Sequence, residues 1–150
     1  MTIFHDPGPL INSDLELILD EKYPGDPSIN YVPAYKFRMG KVGLDGDIGR
    51  IELRIGNTHI IVMYGGHIGY GVHPEHRGHH YAARACKLLL PLARLHKLNP
   101  LWITCNPDNY ASRRTCELAG ARLVEIVNLP EGSDMYQAGE RQKRRYRIDL

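Results

Sequence analysis

Ile68-Gly69-Tyr70-Gly71-Val72-His73-Pro74-Glu75-His76-Arg77-Gly78-His79-His80-Tyr81-Ala82 changes character midway. Its first five residues are a short apolar run, and 74–80 form a polar turn containing glycine. Beyond it Ala82, Ala85, Cys86, Leu89, Leu92 and Ala93 recur at helical spacing. A buried strand therefore feeds through a turn into a long amphipathic helix. The first N–H groups of such a helix lack internal partners, and its dipole adds positive potential there. Gly78 lets the chain approach a ligand closely, and Arg77 brings a planar charged fork. Together these suit a phosphate or pyrophosphate, although many basic turns of this kind hold no ligand. The chain has neither GxxxxGK[ST] nor GxGxxG, so a P-loop and a Rossmann fingerprint are excluded.

Upstream, residues 34–42 and 48–55 read as strands, with Tyr35, Phe37 and Met39, and then Ile51, Leu53 and Ile55, each on one face. Strands are also expected over 58–63, 68–72, 101–105, 121–129 and 141–149. Ser13 with Glu16 predicts a capped helix over 13–23, ended by Pro24-Gly25-Asp26-Pro27. Pro91 is expected to kink or split the long helix. Asn109 opens a further helix that Gly120 closes, and Pro130 to Gly139 is a loop with room for one helical turn. The order predicts one α/β (α+β) domain over 1–150, with a central mixed, mostly antiparallel sheet of six or seven strands flanked by helices.

The 150 residues are 43% hydrophobic and 24% charged, which excludes disordered and fibrous classes. A net charge of +2 is too small to argue for nucleic acid. Cys86, Cys105 and Cys116 form no CxxC pair, so neither a disulfide framework nor a zinc finger is expected, and a reducing, cytoplasmic setting is. The N-terminal residues show no signal-peptide pattern, and no apolar run is long enough to cross a membrane.

The run 69–82 resembles the acetyl-CoA loop of the GNAT N-acetyltransferase superfamily, whose pattern is Arg/Gln-x-x-Gly-x-Gly/Ala. Arg77 and Ala82 match its ends, and His80 stands where the middle glycine usually does. Asn106-Pro107-Asp108-Asn109-Tyr110-Ala111-Ser112, followed by Gly120, resembles the family's next motif. Its Asn-x-x-Ser spacing is similar to the branch that includes ribosomal-protein N-terminal acetyltransferases. The resemblance covers about residues 34–150. It implies acetyl-CoA as co-substrate and a sheet splayed between the strands near 68–72 and 101–105. It also implies that the pantetheine arm pairs with backbone near Tyr70 and Val72. The pyrophosphate would then sit on the N–H groups of Gly78, His79, His80, Tyr81 and Ala82, with Asn109 and Ser112 on the other side.

The implied reaction is acetyl transfer to a primary amine by direct attack in a ternary complex. The amine must lose a proton, and the oxyanion needs a donor, for which the N–H of Tyr70 is the candidate. His67 is the first candidate base, because related branches often carry Glu just before this Ile-Gly-Tyr; its ordinary pKa of about 6.5 suits the task. Glu52 on a neighbouring strand is the second, and an ordinary strand-end role for His67 stays open. Many family members place a Tyr seven residues after the motif Asn, where this chain has Cys116, read here as packing. Ser112 is the alternative acid and Tyr110 a weaker one.

Three rival readings remain. The protein could bind acetyl-CoA without turnover, as a sensor. Five of the eight histidines lie within 67–80, which admits a metal site, although no HExxH is present. The row Arg141, Lys143, Arg145 and Arg147 would suit RNA, or simply a solvated edge strand. The acceptor is left open between a small-molecule and a peptide amine. No nucleic acid or membrane partner is expected, and exposed sheet edges would permit a homodimer.

Overall fold

The computed structural model describes residues 2–150. Five strands form one antiparallel sheet in chain order: β1 (Leu10–Asn12), β2 (Leu15–Tyr23), β3 (Ala34–Lys41), β4 (Gly49–Arg54) and β5 (Ile68–Val72). Three more form a second sheet in the order β6 (Leu101–Cys105), β8 (Gln142–Ile148), β7 (Arg122–Asn128). Helix α1 (Tyr81–Leu95) joins β5 to β6, α2 (Tyr110–Leu118) joins β6 to β7, and the short α3 (Asp134–Gln137) lies between β7 and β8. The fold is the expected mixed α/β architecture of antiparallel sheets flanked by helices, with one strand more than expected.

Two expected elements change type. The stretch 13–23 is a hairpin arm, not a helix. Ser13 adopts φ 55° in the turn between β1 and β2, so it does not cap a helix. Leu15 and Leu17 are buried with Met39 and Phe37 of β3, against which β2 pairs from Leu15↔Lys41 to Tyr23↔Ala34. Leucines at 15 and 19 fit either period, and the open edge of β3 decides for the strand. The apolar stretch 58–63 is no strand either. Ile61–Gly65 coil into a π-helical turn closed by Gly66 N–H to Ile61 O at 2.7 Å. Because β4 pairs directly with β5, this stretch is a connection across the sheet end, where it packs on β6.

Helix α1 runs unbroken through Pro91, contrary to the expected kink or split. Pro91 and Lys87, whose carbonyl loses its helical donor, are both on the exposed face, where water can take the place of that bond. The opposite face buries Ala85, Cys86, Leu89, Leu92 and Ala93. They meet Tyr35, Phe37, Ile51 and Leu53 of the first sheet and Ile103 and Tyr146 of the second in one core.

The two sheets touch between β5 and β6, which form no ladder. They join at a single point immediately before β5. There His67 N–H donates to Trp102 O at 2.7 Å, and Trp102 N–H donates to His67 Nδ1 at 2.9 Å. Gly66 makes this contact possible. Its φ is 74°, and a Cβ there would lie 3.0 Å from Trp102 O and 3.1 Å from Thr104 N. From this apex the strands diverge, which is the expected splay.

Candidate active site

The phase of the β4–β5 ladder determines what the splay exposes. Arg54 N–H donates to His67 O at 2.7 Å, and His73 N–H to Ile48 O at 2.9 Å. Antiparallel partners alternate between bonded and non-bonded pairs, so Gly69 and Gly71 bond to Glu52 and Arg50. The N–H and C=O groups of Tyr70 and Val72 therefore point away from β4, into the gap. Among the described residues, no backbone bond from either reaches β6.

This gap opens into a cleft of about 450 Å³. Tyr70, Gly71 and Val72 line one wall, His76 to Gly78 and His80 to Ala82 the end, and Asn109, Ala111, Ser112, Arg114 and Thr115 the other wall. Nearly every residue expected at a coenzyme is thus brought to one place. His79 is not; its ring lies against Tyr81, with centroids 5.4 Å apart. Gly71, His76, Ala111, Arg114 and Thr115 also line the cleft and were missed, and their only signal is their place beside expected residues on β5, in the turn and on α2.

The end wall combines a helix N-terminus with two left-handed residues, Gly78 at φ 94° and His80 at φ 59°. His80 precedes α1 and donates no side-chain cap, while its carbonyl accepts the helical bond from Arg84 N at 3.0 Å. The N–H groups that follow it remain available. A non-glycine residue at this φ costs about 1 kcal/mol. Arg77 is tied back to β5 by Nε donating to Val72 O at 3.1 Å, leaving its other nitrogens at the surface. Asn109 caps α2, its Oδ1 accepting from Ser112 N at 3.1 Å, so its amide nitrogen is left for the cleft.

His67 does not suit the expected role of base. It is 0% exposed, and its ring is engaged on both sides, Nδ1 by Trp102 N–H and Nε2 by Asn57 Oδ1 at 2.8 Å. Burial, with a lesser contribution from the Arg54 guanidinium, pulls its pKa down to about 4. The imidazole is a neutral strut at the apex and offers the cleft no lone pair.

Glu52 lies on the opposite face of the sheet, in a second groove of about 390 Å³ with Lys36, Arg50, Arg54 and Gly69. Its Oε1 accepts from Arg54 Nε at 2.9 Å and Nη2 at 2.7 Å. Arg54 is itself anchored by Nη1 to Gly65 O at 2.9 Å and Gly66 O at 3.1 Å. The other carboxylate oxygen has no hydrogen bond among the described residues. Tyr70 and Gly71 border both grooves, so one strand separates them.

Cys86, Cys105 and Cys116 are buried and unpaired, and burial pushes the Cys86 thiol up to about 12. Lys143 donates to Asn106 Oδ1 at 2.8 Å and to Glu140 at 2.9 Å. Arg145 stacks 4.0 Å over Trp102, pairs with Glu125 and donates to Val62 O at 3.0 Å. The basic row is thus partly folded inward. His73 pairs with Asp47 at 2.9 Å, and among the described residues no group of three or more His, Cys, Asp or Glu is placed to share a metal ion. No helix is long and apolar enough to cross a membrane.

A splayed sheet with a helix N-terminus at its mouth suits a ligand with an extended amide arm and a phosphate end. Residues 27–122 match the family model described as an acetyltransferase (GNAT) domain, and the chain belongs to that family. No curated protein sequence matches the chain. Among solved structures it is similar to the ribosomal-protein-S5-alanine acetyltransferase of Vibrio fischeri, with TM-score 0.69, 12% identity, and 94% of this chain and 96% of that one covered. RimL, a ribosomal L7/L12 α-N-protein acetyltransferase, gives TM-score 0.65, 15% identity, and coverage of 93% and 95%. The microcin C7 self-immunity acetyltransferase MccE, in complex with acetyl-CoA and AMP, gives TM-score 0.60 at 16% identity over 78% of this chain. The chain spans only 61% of the MccE chain and 65% of a GNAT acetyltransferase from Bacillus anthracis.

Proposed function

We propose that the protein transfers an acetyl group from acetyl-CoA to a primary amine in a ternary complex. The observation that carries this reading is the pair of backbone edges at Tyr70 and Val72 that β6 leaves unpaired, leading to the N-terminus of α1. Acetyl-CoA supplies the thioester carbonyl, the electrophile, with a thiolate as leaving group. Val72 and Tyr70 present amide hydrogen bonds that suit the pantetheine amides. The N–H groups around residues 78–82, with Arg77, suit the pyrophosphate. The N–H of Tyr70 donates to the carbonyl oxygen as negative charge grows there.

With His67 engaged at the apex, the proton of the amine passes to the free oxygen of Glu52, directly or through a water. Arg54 holds that carboxylate in place. Ser112, on the wall facing Tyr70, serves the departing sulfur. The buried cysteines are packing, so no acyl-enzyme forms. Buried, unpaired thiols also fit a reducing compartment such as the cytoplasm. The edge strand β7 exposes Leu123, Val124 and Ile126 and is the side through which a homodimer would form. Among acceptors, the names of the structural neighbours make a peptide α-amine the first to test.

The test is thermal unfolding with acetyl-CoA, with ATP as control, followed by an amine panel that includes peptide N-termini. At ~100 times its dissociation constant the ligand should add about 2.7 kcal/mol of stability. No shift with acetyl-CoA would overturn the reading. Binding without turnover on any amine would make the protein a sensor instead.

A further inference from the structure

Tyr70 holds the one buried side-chain polar atom without a hydrogen-bond partner among the described residues, its phenolic oxygen. Leaving such a group unpaired costs about 1–3 kcal/mol, so a native site that keeps one calls for an explanation. The position is informative. Alternation along β5 turns Gly69 and Gly71 to the outer groove and Tyr70 to the core face, across the gap from α2. Ser112 and Cys116 of α2 lie beside the hydroxyl, and neither completes a hydrogen bond. Ser112 borders the cleft, whereas the Tyr70 hydroxyl is closed off from solvent behind it.

We propose that Tyr70 is a positioning residue for Ser112: its O–H donates to Ser112 Oγ when ligand fills the cleft, aiming the serine O–H at the coenzyme's sulfur. The idea rests on the acetyltransferase reading above. The two hydroxyls form a short chain of donors running from the core to the cleft. As the amine lone pair forms the C–N bond, the C–S pair stays on sulfur, and Ser112 O–H donates to the growing negative charge. The amine proton goes to Glu52, and the thiolate takes its proton from solvent on release. Tyr70 keeps its proton throughout, in line with burial holding the phenol far above its ordinary range. The usual family acid is missing at Cys116; in this chain a phenol reaches the same neighbourhood from β5.

Three measurements on Tyr70→Phe test this. Removing an unpaired hydroxyl should raise the Tm of the ligand-free protein by roughly 2–4 °C. It should lower kcat about tenfold with the KM for acetyl-CoA nearly constant, and add nothing further in a Ser112→Ala background. In binding, the wild type should discriminate coenzyme A from desulfo-coenzyme A, and the variant should lose that difference. A variant with kcat within twofold of wild type, or with full additivity to Ser112→Ala, overturns the proposal. So does a fall in Tm, which would mean the hydroxyl is paired in solution. If the wild type binds no coenzyme A at all, the acetyltransferase reading falls as well.

Discussion

The two ends of the gap between β5 and β6 are in opposite states. At the apex, the backbone groups joining His67 and Trp102 and both ring nitrogens of His67 are bonded. At the mouth, Tyr70 and Val72 present backbone edges that no strand pairs, with only the Val72 carbonyl held, by Arg77 Nε, and the phenol of Tyr70 has no partner. His67 at the apex and Tyr70 and Val72 at the mouth lie on one short stretch of sequence. Their difference shows that the site is built where pairing stops, and that pairing can stop only because something fastens the other end. The lost hydrogen bonds at the mouth are a standing cost that the core beneath α1 must offset.

This contrast can be broken from either side. The largest effect belongs to the outer groove: Glu52→Gln should lower kcat about 100-fold or more while leaving the affinity for acetyl-CoA nearly constant. A change confined to affinity would remove Glu52 from the chemistry. At the apex, His67 is neutral and buried, with a pKa lowered to about 4. The unfolded chain binds the extra proton from pH 6.5 downward, so stability is full above about 6.5 and falls toward pH 4 by about 3 kcal/mol. Urea unfolding across that range should show the loss in the wild type and a flatter profile in His67→Ala, which starts about 3 kcal/mol lower. A wild-type profile without the loss would mean that the imidazole is charged or exposed.

At the mouth, Gly78→Pro cannot adopt φ 94° and should weaken acetyl-CoA binding about tenfold by calorimetry. Unchanged affinity would leave the turn as a turn only. The smallest effect is His80→Gly, which relieves the left-handed strain and should add about 1 kcal/mol, read as a higher Tm. A lower Tm would show that the imidazole does structural work of its own.

Much of this was legible because the elements around the cleft carry one unambiguous period each. Ile51 and Leu53 alternate with charges, and Ala85, Cys86, Leu89 and Ala93 can only be one face of a helix. The hairpin arm at 15–23 was not, since Leu15, Ile18 and Leu19 fit a helix while Leu15, Leu17 and Leu19 fit a strand, and the deciding partner is β3. The turn at 61–65 was apolar for a reason outside itself, namely its contact with β6 and the Arg145 that grips its Val62 carbonyl. The cleft residues were legible from their motifs. The true part of His67 was hidden, because it depends on Asn57 and Trp102, 10 and 35 residues away. The isolated phenol of Tyr70 was hidden too, for no spacing records the absence of a partner.

The phase of β5 against β4 also writes a pattern in time. Amide protons of Gly69, Gly71 and His73 are held in the ladder, while those of Tyr70 and Val72 between them are not. Deuterium should therefore enter this strand at every second residue, fast beside slow, over a stretch too short to unfold piecemeal. Coenzyme in the gap would slow the fast positions alone, and the strand would then exchange like any interior strand of a continuous sheet.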